Sequence, residues 1–167
     1  MPISMPEGFS RMKLSFSAML FGAMFCCASL LPADGAEKKI AKSDLPPAAA
    51  KAAESESRGS TVKGYSEDNE GGKLVYEVEM TSNGRSRDVT IAGDGTILEI
   101  EEEVQLSSLS TDSQNALKKK AGTGTITKVE SLTRKGRLVG YEAQVKNGSR
   151  RYEVEIDASG QHATTSK

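Results

Sequence analysis

The residue types that most often perform catalysis or bind metals are scarce in this sequence. It contains one histidine, His162, and two adjacent cysteines, Cys26 and Cys27. A nucleophile needs a positioned base, and a metal site needs several converging ligands. His162 lies near the C-terminus among small polar residues. The sequence therefore predicts no catalytic residue, no metal site and no cofactor, and we do not expect an enzyme.

Three short glycine-containing motifs are better explained by turns than by ligand binding. Asp94-Gly95 and the segment from Asp157 to Gly160 contain acidic residues, but neither supplies the six or more oxygens that calcium takes. Both are typical of hairpin turns. Gly122-Thr123-Gly124 is too short for a phosphate loop, and we interpret it as the entry to a strand.

Basic residues in the second half of the chain do not predict nucleic-acid binding. The formal net charge is −1, tryptophan is absent and aromatic residues are few, so neither stacking nor overall charge favours it. The basic residues concerned are Lys118–Lys120, Arg134, Lys135, Arg150 and Arg151.

The densest acidic run, Glu99 and Glu101–Glu103, has two interpretations. It can be a solvated strand end that keeps an edge from pairing wrongly. It can also meet a basic partner and speed the encounter through charge. The chain is divided in charge: residues 37–103 contain 15 Asp and Glu against 9 Lys and Arg, whereas residues 104–167 contain 6 against 11. Attraction between two adjacent repeats would explain that division without a ligand.

Acidic residues also alternate with apolar residues in the sequence, and this period of two is typical of a strand. Tyr76, Val78 and Met80 alternate with Glu77 and Glu79, which predicts one face in a core and one in water. Turns at Asn83-Gly84 and Asp94-Gly95 complete a three-stranded antiparallel meander over residues 72–104. A strand over Thr61–Tyr65 precedes it, followed by a polar loop or wide hairpin over Ser66–Gly72.

The same pattern returns about 65 residues later, so the chain contains two repeats. Gly140 is the expected bulge that holds the register. The predicted strands are Thr125–Ser131, Leu138–Lys146 and Arg150–Asp157, with a weaker one at Gln161–Thr165.

A short helix is predicted before the strands of each repeat. Pro46 and the following alanines favour the first, over 44–55. Thr111 and Gln114 predict a capping box for the second, which Gly122 should end.

These elements predict an α+β fold in which two tandem repeats, each a helix and three or four strands, form one antiparallel sheet. Both helices should cover the face bearing Tyr76 and Tyr141 and bury a shared core. The opposite face is expected to bind a partner through Glu77, Glu79, Glu99, Glu101, Glu142, Gln144, Arg151, Glu153 and Glu155.

The N-terminal third predicts export. A leader with Arg11 and Lys13, the uncharged run 14–31 and small residues up to Ala36 are typical of a signal peptide. A retained anchor and a lipoprotein modified at Cys26 or Cys27 are the alternatives. The predicted organisation is a signal and cleavage region at 1–36, a polar linker at 37–43, and repeats at 44–104 and 105–167.

The sequence resembles the PepSY-like, β-lactamase-inhibitor-like family. The matching motifs are Leu-Pro-x-Ala from Leu45, Tyr-Glu-Val-Glu from Tyr76, Asn83-Gly84-Arg85 and the Asp94-Gly95 turn. The resemblance implies a periplasmic or extracellular, non-catalytic module that binds proteins and restrains a peptidase or another enzyme. A protein partner is thus expected, with no nucleic acid and no membrane contact beyond the signal segment. The alternative is a small-ligand-binding or envelope-structural protein.

Overall fold

Eight antiparallel strands in chain order form one sheet, with two helices on one face. The computed structural model describes residues 37–160. Each strand pairs with the next along the chain, from β1 to β8. The elements are β1 (Lys38–Ile40), α1 (Pro47–Glu56), β2 (Thr61–Glu70), β3 (Lys73–Ser82), β4 (Arg85–Ala92), β5 (Ile97–Glu103), α2 (Thr111–Ala121), β6 (Thr125–Arg134), β7 (Arg137–Asn147) and β8 (Arg150–Asp157). The α+β class and the single sheet of two repeats are confirmed.

β5 belongs to both repeats. In repeat 1, β1 and a 3-10 turn at 42–44 precede α1, and in repeat 2, β5 and a 3-10 turn at 106–108 precede α2. The equivalent strands β2 and β6 begin at Thr61 and Thr125, 64 residues apart. The structure therefore differs from the sequence interpretation at residues 37–43, because β1 pairs with β2 there rather than forming a free linker.

The N-terminal cap of α2 differs from the predicted one. Ser110 is the N-cap, and its Oγ accepts a hydrogen bond from the Ser113 backbone N–H at 3.1 Å. Thr111 is the first helical residue, and the Gln114 amide donates to the Leu109 carbonyl at 3.0 Å. The predicted Thr111–Gln114 capping box was wrong, since a serine one position earlier reaches the free N–H first. Gly122 ends the helix as expected, with φ 58°.

The alternating residues of each repeat face the helix of that repeat. Tyr76, Val78 and Met80 pack in one cluster with Ala49 and Ala53 of α1. Tyr141 packs in a second cluster, which contains Leu117 of α2 with Val129, Ala143 and Ile156. The inward direction of Tyr76 and Tyr141 is confirmed.

The shared core that we predicted was wrong, because the buried residues form two clusters. At the junction, β5 and β6 pair Glu102 with Ser131 and Ile100 with Thr133. Polar residues therefore interrupt the apolar surface between the helices. The sheet continues through this junction by backbone pairing, while the two cores are separate.

Two equivalent contacts hold the C-terminal ends of the helices to the sheet. The Arg87 guanidinium donates to the Glu56 carbonyl at 3.1 Å and pairs with the Glu56 carboxylate at 2.7 Å. In repeat 2, the Tyr152 hydroxyl donates to the Ala121 carbonyl at 2.8 Å. Glu56 and Ala121 are the last residues of their helices, so both contacts satisfy a carbonyl that the helix leaves unpaired.

The polar segment Ser66–Glu70, predicted as part of a loop or wide hairpin, continues β2 into a tight hairpin. It pairs with β3 up to Glu70 and Lys73, and Gly71 and Gly72 make the turn with φ 56° and 82°. Two adjacent glycines with positive φ suit a two-residue hairpin, so the strand continues to the turn.

The predicted bulge lies beside Gly140. The register shifts between Leu132 paired with Gly140 and Thr133 paired with Leu138, which leaves Val139 as the extra residue. A Cβ at Gly140 would lie 2.3 Å from the Ile156 carbonyl oxygen, so the close approach of β8 requires glycine here.

Several predictions fall outside the described residues. They are the signal peptide and its alternatives, His162 and the weak strand at Gln161–Thr165. Within residues 37–160, no helix is long and apolar enough to cross a membrane.

Candidate partner-binding groove

The face of the sheet opposite the helices bears acidic residues in neighbouring rows. Directly paired residues of antiparallel strands point to the same face. One row runs from Glu79 through Asp88 to Glu101. The next runs from Glu103 through Glu130 and Glu142 to Glu155.

Most residues of these rows line one groove of about 530 Å³, which we call the acidic groove. Strands lie about 4.8 Å apart, so residues of seven strands meet around one groove only if the sheet curves toward this face. The lining residues are Glu37, Lys63, Glu77, Glu79, Met80, Thr81, Ser86, Asp88, Glu101, Lys128, Glu130, Glu142, Gln144 and Glu153.

The acidic groove brings together most of the residues expected to bind a partner, but not all of them. Glu99 and Glu155 line a neighbouring groove of about 650 Å³ instead, where Arg134 pairs with Glu99. Arg151 is exposed at the side of the sheet, beside Gln144 and Glu153. The predicted residues that line the acidic groove are Glu77, Glu79, Glu101, Glu142, Gln144 and Glu153.

Sequence reasoning missed Glu130, which is a buried residue of the groove, and Lys128, which pairs with it. Glu130 is 2% exposed; its carboxylate lies 2.7 Å from the Lys128 ammonium and accepts a hydrogen bond from the Ser86 hydroxyl at 3.2 Å. Asp88, Glu37 and Lys63 were missed as well. The alternation of inward and outward residues along β4 could have identified Asp88, because it lies between the inward residues Arg87 and Val89.

Burial and mutual repulsion raise the pKa of four carboxyl groups in the groove. Burial is the larger cause at Glu77, with Asp88 next, and the pKa rises to about 7. Burial and then repulsion by Glu130 raise the pKa of Asp88 to about 6. Burial and then repulsion by Glu153 raise the pKa of Glu142 to about 7. The pKa of Glu101 is raised furthest, by burial and then by Glu142. The groove is therefore partly protonated near neutral pH.

Two groups of three carboxylates are close enough to surround a cation. The oxygens of Glu37, Glu77 and Glu79 lie within 4.8 Å of one another, as do those of Asp88, Glu101 and Glu130. In the second group, the Lys128 ammonium already pairs with Glu130. Residues 37–160 contain no histidine or cysteine. The polar groups that both clusters provide are therefore carboxylates, which attract positive charge.

The fold and groove define a tandem helix-plus-sheet protein with a free polar sheet face. Residues 36–101 match a family model, PepSY, described as "Peptidase propeptide and YPEB domain". The resemblance of the sequence to the PepSY family is thus confirmed over residues 36–101. No curated protein matches the sequence.

Similar solved structures come from Bacteroides species, and two of them have TM-scores above 0.5. A Bacteroides eggerthii protein described as periplasmic is 15% identical, with 70% of this chain and 84% of that chain covered and a TM-score of 0.53. A DUF2874 family protein from Bacteroides ovatus is 14% identical, with 70% and 82% covered and a TM-score of 0.51. A BLIP-like protein from Bacteroides fragilis is 16% identical, with 70% and 81% covered and a TM-score of 0.48.

Proposed function

We propose that this chain is an exported, non-catalytic module that binds a protein on the groove face of its sheet. The observation that supports this most is the convergence of six predicted residues from β3, β5, β7 and β8 in one groove. Both helices pack on the opposite face, so no described helix covers the groove. A free, concave, charged sheet face is a surface on which a partner can dock.

The groove is costly to the fold, which supports a functional reason for it. Carboxylates that repel one another and are half-buried destabilise the folded state. Such departures from the most stable arrangement concentrate at functional sites. A surface of alternating lysine and glutamate would cover the same strands at a lower cost.

The comparisons support the type of function. The PepSY description includes peptidase propeptides, and a structurally similar protein is described as periplasmic. We propose accordingly that the module restrains an exported peptidase or another enzyme, and that the chain acts in the periplasm or outside the cell.

Photo-cross-linking in cells tests this function. A photoreactive residue replaces Gln144 in the groove or, as a matched control, Lys119, an exposed residue of α2. We expect a specific protein adduct from position 144 and none from 119. The interaction should weaken from about 0.05 M to about 0.5 M salt, because exposed charges are screened.

The variant Glu77→Ala, Glu79→Ala, Glu101→Ala completes the test. It should lose the adduct while unfolding at a temperature no lower than that of the wild type. If this variant keeps every specific partner, the sheet face is not the binding surface. Binding that is independent of salt would instead favour an apolar small ligand.

A further inference from the structure

The acidic groove contains far more negative than positive groups. Eight Asp and Glu and two Lys line it. The side chains of Glu77, Glu101 and Glu142 form no ion pair or hydrogen bond with any residue in the range 37–160. The groove therefore attracts a cationic group that this part of the chain does not supply.

Ser66 is a second, independent sign that a ligand group is missing. Its side chain is 1% exposed, and its Oγ has no hydrogen-bond partner among the described residues. Ser66 pairs with Lys39 of β1 and Glu77 of β3, so its hydroxyl points to the groove face beside Glu77. A buried hydroxyl normally has a partner, so Ser66 indicates that one comes from outside.

Repeat 2 shows which chemical group fits this place. Strand pairing places Gly64 opposite Glu79 and Lys128 opposite Gln144. An extra residue of β2 precedes Gly64, and an extra residue of β6 precedes Lys128 in the same way. Gly64 and Ser66 are thus equivalent to Lys128 and Glu130. Lys128 supplies an ammonium group 2.7 Å from Glu130, whereas Gly64 supplies none to Ser66, Glu77 and Glu79. Lys39 approaches Glu79 only to 3.9 Å and is mostly exposed.

We propose, building on the proposed function, that the repeat 1 half of the groove takes a Lys or Arg side chain from a basic segment of the partner protein. The cationic group binds Glu77 and Glu79 and donates a hydrogen bond to the Ser66 hydroxyl. It occupies the place that Lys128 fills in repeat 2.

A lysine in place of Gly64 tests this assignment directly. A Cβ at Gly64 would meet only the Glu79 side chain, at 3.8 Å, so Gly64→Lys can fold without a clash. Its ammonium group would fill the site from within and exclude the ligand. Ser107→Lys, at an exposed position preceding α2, adds the same charge away from the groove and is the control.

Binding is measured by fluorescence anisotropy with the labelled peptide (Lys-Gly)4 and its neutral counterpart (Gln-Gly)4, at about pH 8, above the pKa of Glu77. We expect only the lysine peptide to bind. Gly64→Lys and Glu77→Gln/Glu79→Gln should each weaken binding roughly tenfold, because each removes a partly buried ion pair. Ser107→Lys and the exposed Glu54→Gln should leave it within about twofold.

Several outcomes would overturn the proposal. They are equal binding to Gly64→Lys and wild type, insensitivity to Glu77→Gln/Glu79→Gln, equal binding of the neutral peptide, and binding of calcium ions in place of the peptide. The double glutamine variant decides the matter if Gly64→Lys does not fold. If the peptide fails while position 144 still cross-links a partner, this inference is wrong and the proposed function stands.

Discussion

At the scale of single residues, Glu101 makes the stability of the protein depend on pH. Its pKa is raised by burial and by Glu142, so the folded state holds a proton that the unfolded state releases above about pH 4.3. The stability associated with that proton is present at low pH and is lost as the pH rises through the folded pKa. The pKa shifts of Glu77, Asp88 and Glu142 have the same sign.

We therefore expect the melting temperature to fall between about pH 5 and about pH 9. Glu101→Gln should make this decrease smaller and stabilise the protein at the alkaline end. Circular dichroism melts across this range measure both effects. Glu54→Gln, whose side chain is 73% exposed, is the control and should follow the wild type. A wild-type melting temperature that rises over the same range would contradict the assignment.

A second prediction concerns the ion pair between Lys128 and Glu130. The Glu130 side chain is 3% exposed and that of Lys128 24%, so removing the lysine leaves a buried carboxylate unpaired. Lys128→Met should cost about 3 kcal/mol in the free energy of unfolding, measured with urea at neutral pH. Lys128→Met/Glu130→Gln should recover most of that loss. Equal stability of the single and double variants would show that the unpaired Glu130 carboxylate is not the cause of the loss.

Sequence alternation predicted the face that Glu77 and Glu142 take, but not which residues meet them in the groove. Glu77 and Glu142 were assigned to the polar face by their tyrosine neighbours, and both line the groove. Lys128 was missed because an extra residue, Thr127, shifts the register of β6 before it. Sheet curvature, which depends on many small twists and on such extra residues, brings distant strands together and has no local sequence signal.

At the scale of elements, each helix is held at its C-terminal end by a residue of an equivalent strand, β4 for α1 and β8 for α2. Arg87→Met removes two hydrogen bonds to Glu56, one of which is also an ion pair, together with the ion pair to Glu102, and should cost about 2 kcal/mol. Tyr152→Phe removes one neutral hydrogen bond to Ala121, and should cost about 1 kcal/mol.

Hydrogen exchange separates the two contacts. Arg87→Met should speed exchange of the last amides of α1 and leave those of α2 unchanged, and Tyr152→Phe should do the reverse. Each variant is the control for the other. Faster exchange throughout both helices in either variant would show that the contacts stabilise the whole fold rather than one helix end.

Element boundaries were predictable where the residue type restricts or permits particular backbone dihedral angles, and less so elsewhere. Gly122, with its positive φ, ended α2 as expected. The polar run Ser66–Glu70 was predicted as part of a loop or wide hairpin rather than as strand, because its charged residues are poor strand formers. Backbone pairing to β3 and the turn at Gly71 and Gly72 outweigh that local preference.

At the scale of the whole molecule, the two separate cores predict uneven effects of core substitutions. Leu117 is fully buried in the cluster of repeat 2, and Met80 is 1% exposed in that of repeat 1. Leu117→Ala and Met80→Ala should each cost about 3 kcal/mol. Hydrogen exchange should accelerate more in the repeat that contains the substitution. Equal acceleration in both repeats would mean that β5–β6 pairing alone makes unfolding fully cooperative.

The shared core was the main error at this scale. Two repeats in one sheet suggested one interior, but α1 and α2 are only 10 and 11 residues long. Such helices extend about 15 Å, enough to cover a few strands. Glu102, Ser131 and Thr133 at the junction were the available signal, and the separation follows from their polarity.

The architecture is modular because β5 belongs to both repeats. Gly95, with φ 88°, precedes β5, and Gly160, with φ 77°, follows β8 at the equivalent position. A concatemer in which residues 96–160 are copied once more after Gly160 would add four strands to the existing eight, and α2 would recur above them. The acidic groove would lengthen by one repeat, so that the number of copies would set the length of the binding surface.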